Sequence, residues 1–213
     1  MRILHVGKFY PPHMGGIETH LQSLCEGLRG LADVRVIVAN DHRQTMRTDV
    51  SGIDVTRCGT FVDFAAAPVC PSMISEIGCA DADIIHLHQP HPTGMLAYLA
   101  SGHKARVIVT YHSDIVRQKL LGRAFKPFLN NVLHRSSAII ATSPNYLATS
   151  PYLQAHQSRC HVIPYGIPIE QFQRCDGSRV AALHEKYGRR LIICVGRLVY
   201  YKGFEYLIRA MQW

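Results

Sequence analysis

The sequence predicts an α/β protein built on a doubly wound, Rossmann-like parallel sheet. Two observations carry this. Short β-branched runs alternate along the chain with longer segments of helical periodicity, the order that parallel strands joined by crossover helices require. Several of those runs are apolar at nearly every position, as strands covered on both faces are. The chain has 213 residues, 47% of them hydrophobic, enough to enclose a sizeable core.

Taken in order, RILHVG is the first strand. KFYPPHMGGIETH follows from Lys8, with two prolines, a glycine pair and then a helix, IETHLQSLCEGLRGL, whose Ile17, Leu21, Leu24, Leu28 and Leu31 fall on one face. VRVIVAN, GIDVTRCG, DIIHLHQ, RVIVTYH, AIIATS and CHVIPYG are the succeeding strands, with LIICVG near the end. After RVIVTYH, the segment DIVRQKLLGRAFKPFLNNVLHR reads as an amphipathic helix that Pro127 is expected to kink or split in two. Sheets of this class bind ligands beyond the carboxyl ends of their strands, near the point where strand order reverses. The Lys8 stretch lies at such an end. Gly15 and Gly16 lack Cβ atoms, which admits positive φ and a close ligand. The helix behind them turns its N–H groups and dipole toward an anion, and Glu18 in its first turn favours the same dipole. A plain tight turn is the alternative reading of these residues.

The formal charge of +8 points to an anionic partner: phosphate, nucleic acid or acidic lipid. No nucleic-acid-binding motif accompanies it, so nucleic acid is not expected. Seven scattered cysteines without a C-x-x-C pair predict reduced, mostly buried thiols rather than disulfides or a zinc site. No apolar run approaches the roughly 18 residues of a membrane span, and RILHVG is too short for a signal peptide. The expected location is the cytoplasm, including the inner face of the membrane. Asp81-Ala-Asp83 reads as a loop-to-strand boundary at the end away from the ligand. His86 and His88 share a strand face. With His91 they make a His-rich run, but no carboxylate or cysteine stands suitably near in sequence, so no metal is expected and His88 is read as lining the cleft. Lys119, Arg123 and Lys126 recur at i, i+4 and i+7 beside Leu120, Leu121, Phe125 and Phe128. A membrane-surface element and an ordinary solvated basic face both fit that pattern.

Near the C-terminus, LIICVGRLVYYKGFEYLIRAM places Arg197 and Lys202 on a short loop after a strand, a pair of cations suited to a diphosphate. KFYPPHMGGIETH, IIHLHQPH, VTYHSD, HVIPYGI and VGRLVYYKGFEYLI together resemble, in order and spacing and over essentially the whole chain, the retaining glycosyltransferases of family 4. Those enzymes have the GT-B fold, two Rossmann-like domains facing each other across a cleft. The resemblance implies hexose transfer from a nucleotide sugar, UDP- or GDP-linked, to a hydroxyl on a lipid-linked or polysaccharide acceptor, with retention and without a cofactor. Gly15 and Gly16 would lie against the donor phosphate and the acceptor, and Arg197 and Lys202 would neutralise the leaving diphosphate. His112 would position the transferred sugar and attacking hydroxyl by hydrogen bonding. Glu18, His88 and Tyr111 would line the acceptor side. The implied organisation is an acceptor-side domain over 1–165, a linker over 166–188 and the start of a donor-binding domain over 189–213. The family's Glu-x7-Glu motif is missing, since its one occurrence, Glu18 to Glu26, lies in the first helix. The chain therefore reads as incomplete and inactive alone. A non-catalytic domain that binds acceptor, lipid or a partner chain is the other reading.

Overall fold

The computed structural model describes residues 1–64, 67–114, 119–167, 169–196 and 198–212. They divide into two units, Met1–Gly166 and Ile167–Trp213.

The first unit runs β1 (Arg2–Val6), α1 (Gly16–Leu28), β2 (Asp33–Ala39), β3 (Met46–Val50), β4 (Ile53–Cys58), β5 (Val62–Phe64), β6 (Ala67–Val69), α2 (Ser72–Gly78), β7 (Ile84–Gln89), α3 (Pro92–Ser101), β8 (Arg106–Tyr111), α4 (Lys119–Arg135), β9 (Ala138–Ala141), α5 (Pro144–Thr149), α6 (Pro151–Gln154) and β10 (Cys160–Val162). Eight strands form one sheet in the order β10-β9-β8-β7-β1-β2-β4-β3, and β5 and β6 form a separate antiparallel pair. Every pairing in the large sheet is parallel except β3 with β4. The chain starts mid-sheet, works outward through β2 to β4, then returns to lay β7 on the other side of β1 and works outward again. Strand order thus reverses between β1 and β7, and their carboxyl ends open there with that of β8.

Alternation along the strands builds two cores. On one face Leu4, Val6, Ile85, Leu87, Val107, Val109 and Tyr111 pack with Met73 and Ile77 of α2, Met95 of α3, and Leu129, Val132 and Leu133 of α4. On the other, Val34, Val36, Val38, Ile53 and Val55 lie under Leu21 and Cys25 of α1. Fully burying a side chain such as Leu21 is worth about 1.5–3 kcal/mol, which fixes α1 to β2. The expected leucine stripe holds in part: Leu28 packs at the edge, but Leu31 lies past the helix end and is 78% exposed.

Four expectations need correction. MRTDV forms the edge strand β3, which its charged composition concealed; a two-residue turn with Ser51 at φ 56° and Gly52 at φ 78° returns it to β4. Pro127 lies inside α4, which is a single helix rather than two. No cysteine is paired, but only Cys25, Cys58 and Cys70 are buried, while Cys79, Cys175 and Cys194 are exposed. In the second unit, which holds α7 (Glu170–Gln173), α8 (Gly177–Tyr187) and α9 (Phe204–Ala210), LIICVG forms no strand. Its Ile193 and Val195 are 79% and 90% exposed, because a strand without a hydrogen-bonded neighbour has no sheet to join. Helix α8 is capped by Asp176, whose carboxylate accepts from the backbone N–H groups of Ser178 and Arg179.

Candidate active site

The site grows from strand parity. His5 of β1 is in register with His86 of β7, and His88 with Thr110 of β8, so these side chains share the α1 face of the sheet. His112 follows two residues after Thr110, past the end of β8. The outcome is a column of imidazoles rising to the mouth of the switch point. His5, His86 and His88 are buried. His5 Nδ1 lies 3.1 Å from His88 Nε2, and His88 Nδ1 lies 3.2 Å from His112 Nε2. His112 Nδ1 is 2.5 Å from the hydroxyl of Tyr165, in the loop after β10. His86 Nε2 pairs separately with Thr110 Oγ1 at 2.7 Å. From α1, the His20 ring meets His112 edge-on at 5.4 Å between centroids and tilts over Tyr165 at 4.5 Å.

Burial holds all of these imidazoles neutral. Desolvation, aided by the neighbouring His20, lowers His5 to about 3. Desolvation, then His20 and His86, lowers His112 to about 3. His86 and His88 are held well below the ordinary histidine range, and His20 is lowered, with burial the leading cause in each. His5 Nε2 is buried without a hydrogen-bond partner.

The backbone around His112 is fixed on two sides. Its N–H donates to the Gln89 carbonyl at 2.8 Å. Asp114 accepts from the Tyr111 hydroxyl at 2.9 Å and from Ser150 Oγ at 3.0 Å, anchoring the turn that follows. The loop from Lys8 to Gly15 is also held: the Arg57 guanidinium donates to the Tyr10 and Pro11 carbonyls, and Tyr10 is buried beneath it. At the loop's end Gly15 is the N-cap of α1 and gives no side-chain cap, so the first N–H groups of the helix face outward. Neither Gly15 nor Gly16 has positive φ; Gly15 sits at φ −175°, an extended conformation open to any residue. Their use is spatial instead. A Cβ on Gly15 would overlap the Glu18 carboxylate, which folds back over it, whereas a Cβ on Gly16 would meet nothing within 4 Å.

The structure therefore brings together His88 and His112, keeps Gly15, Gly16 and Glu18 at the start of α1, and adds three residues not singled out from the sequence: His5, Tyr165 and His20, the last joining α1 to His88 and His112. His20 was legible as the residue four past Gly16, one helical turn along. Tyr111 is separated from this group. Its ring lies on the opposite face, stacked with Tyr146 at 6.2 Å, with its hydroxyl committed to Asp114. Lys202 is exposed on a short turn, Tyr200–Lys202, in the second unit. Arg197 lies outside the described residues, as do the side chains of Lys119 and Arg123; Lys126 is exposed on α4. Asp81 and Asp83 sit at the other end of the sheet, where both pair with Arg2, Asp83 at 2.7 Å. His5, His86 and His88 place one ligand atom each within 4.8 Å of one another. The group has three imidazoles and neither carboxylate nor thiolate to offset a buried dication. Among the described residues, no helix is long and apolar enough to cross a membrane.

Comparison with known proteins bears on the fold and the family. Residues 15–166 match the family model of the glycosyl transferase 4-like domain. The chain is 34% identical over its full length to O-antigen chain mannosyltransferase C of Escherichia coli, covering 58% of that protein. It is 32% identical, again over its full length, to the D-rhamnosyltransferase WbpZ of Pseudomonas aeruginosa, covering 57% of it. The chain thus spans somewhat more than half the length of these relatives. Among solved structures, that of Anabaena Alr3699/HepE in complex with UDP and glucose superposes with a TM-score of 0.69 at 18% identity, over 99% of this chain and 57% of that one. The switch-point sheet is accordingly the Rossmann-like N-terminal domain of the GT-B fold, and the chain belongs to glycosyltransferase family 4.

Proposed function

We propose that this chain forms the acceptor-side half of a retaining hexosyltransferase, which moves a hexose from a UDP- or GDP-sugar to a hydroxyl on a lipid-linked or polysaccharide acceptor. The observation that carries the reading is the contact of His112 with His20 of α1, about one turn from the start of that helix, which has no side-chain cap. A neutral hydrogen-bonding imidazole is thereby linked to the helix whose first N–H groups and dipole favour an anion. As the glycosidic bond breaks, negative charge gathers on the leaving diphosphate. Donors fixed in advance at that position stabilise the transition state more than the ground state. The α1 N–H groups, with Arg197 and Lys202, are assigned to that charge. The attacking hydroxyl gives its proton to the leaving phosphate on the same face, which yields retention. His112, held neutral, orients the sugar and acceptor and takes no covalent part. Lys126, exposed beside the 44%-exposed Phe128, supports contact with an anionic membrane carrying the acceptor.

The test is His112→Ala in a chain carried on to the length of the relatives. Turnover should fall about 10²–10³-fold, the usual cost of removing one aligned donor, while nucleotide affinity stays within twofold. Undiminished turnover removes His112 from the mechanism.

A further inference from the structure

We infer that His5 and His88 are positioning residues that lock His112 in a single tautomer, with the proton on Nδ1, so that the ligand-facing nitrogen is a fixed hydrogen-bond donor. The role in transfer rests on the function proposed above; the tautomer does not.

The inference follows from counting protons along one chain of atoms. Three neutral imidazoles in series, each with one N–H and one bare nitrogen, allow only two arrangements, because every contact needs a donor and an acceptor. In the first, His5 Nδ1–H donates to His88 Nε2, His88 Nδ1–H donates to His112 Nε2, and His112 Nδ1–H donates to the Tyr165 oxygen, across 3.1, 3.2 and 2.5 Å. In the second, every donor and acceptor is exchanged. The two differ at the ends. His5 Nε2 is buried with no partner, so the second arrangement strands an N–H in the core, while the first leaves only a bare lone pair. Orphaned buried N–H groups are the rarer defect, which selects the first. His86 does not compete for this chain, since its Nε2 is paired with Thr110.

The inner end also closes off proton transfer. A proton accepted at His112 Nδ1 and handed inward would leave a cation on His5, in a site that lowers its pKa to about 3. The column therefore cannot serve as a base. It sets a direction: Tyr165 now occupies the position where a sugar or acceptor oxygen would accept from His112.

Imidazole ¹⁵N NMR of the 213-residue chain reads this directly. His5, His88 and His112 should each show a protonated Nδ1 and a bare Nε2, with one tautomer populated. The Nε2–H form at any of the three, a tautomer mixture at His112, or a charged ring at neutral pH overturns the inference. So does a stoichiometric Zn²⁺ titration of these signals, because a metal held by these rings would need the His88 Nε2 lone pair, which accepts from His5. His5→Phe removes the first donor, and His112 should then show both tautomers; His5→Gln, which restores an amide N–H, should return it to one. An unchanged His112 spectrum in His5→Phe overturns the inference, and if that variant does not fold the wild-type spectrum decides alone. In a chain of the relatives' length, His5→Phe should lower kcat about tenfold with the donor KM within twofold. Failure of His112→Ala to affect turnover would instead strike the proposed function and leave the tautomer result standing.

Discussion

Acid should unfold this protein unusually early, and the size of the effect follows from its buried imidazoles. Five histidines are held neutral by the fold: His5, His91 and His112 are lowered to about 3, and His86 and His88 lie well below the ordinary range. Desolvation leads in every case, with a neighbouring basic group that opposes a further charge second: His20 for His5 and His112, His5 for His86, His86 for His88, and Lys8 for His91. Released by unfolding, each takes a proton near pH 6.5. Because the folded values are depressed, the stabilisation is complete above about pH 6.5 and is lost as pH falls toward the folded values. Between about pH 7.5 and pH 5.5 one such group forfeits roughly 1.4 kcal/mol, and five forfeit about 7. That is a large share of the ~5–15 kcal/mol that holds an ordinary domain folded. Urea unfolding followed by circular dichroism at the two pH values measures the difference. A loss below about 2 kcal/mol would refute the reasoning, since it would mean that most of these rings are already charged or solvated in the native state.

Three further tests are independent of this one. Gly16→Ala places its Cβ in open space, so the 213-residue chain should keep its melting temperature or gain up to about 3 °C. In a chain of the relatives' length it should weaken UDP or GDP binding at least tenfold by calorimetry, and unchanged affinity would show that no ligand lies there. Under native conditions Cys79, Cys175 and Cys194 should react quickly with a thiol reagent. Cys25 and Cys58, pushed up to about 12 by burial, should wait for unfolding, and fast labelling of either would contradict their packing. Pro127→Ala should stabilise by about 1–3 kcal/mol, because proline inside a helix forfeits a backbone bond; a destabilised variant would show that the ring makes packing contacts worth more than that bond.

The sheet was legible because a strand buried on both faces leaves a solid apolar run, and seven of the expected strands lie where β1, β2, β4, β7, β8, β9 and β10 are found. MRTDV escaped notice because an edge strand needs no apolar face; it is specified by pairing with β4, with Val50 at the edge of the core and Arg47 paired with Glu76. LIICVG shows the converse, an apolar run that forms no strand for want of a neighbour. The shared face of His86 and His88 followed from spacing, but their meeting with His5 did not. That contact joins residues 83 positions apart and depends on which strand lies beside β1. Tyr165 was hidden for the same reason, being 53 positions from His112. The glycine pair stands at the start of α1 as expected, but neither residue has positive φ; only the missing Cβ has a structural role, at Gly15, where Glu18 folds over it.

The antiparallel β3 has a practical consequence. Because it runs against β4, the Ser51–Gly52 turn emerges at the end of the sheet opposite His112, beside the close of α1, where Arg29 donates to the Ser51 carbonyl. Both turn residues are exposed, and the turn's geometry is local, with the Gly52 N–H donating to Asp49 Oδ1 at 2.9 Å. A fluorophore, an affinity tag or a new chain terminus introduced there would be separated from His112 by the length of the strands. The same turn is thus the natural point from which to tether the protein to a surface with the His112 end of the sheet directed into solution.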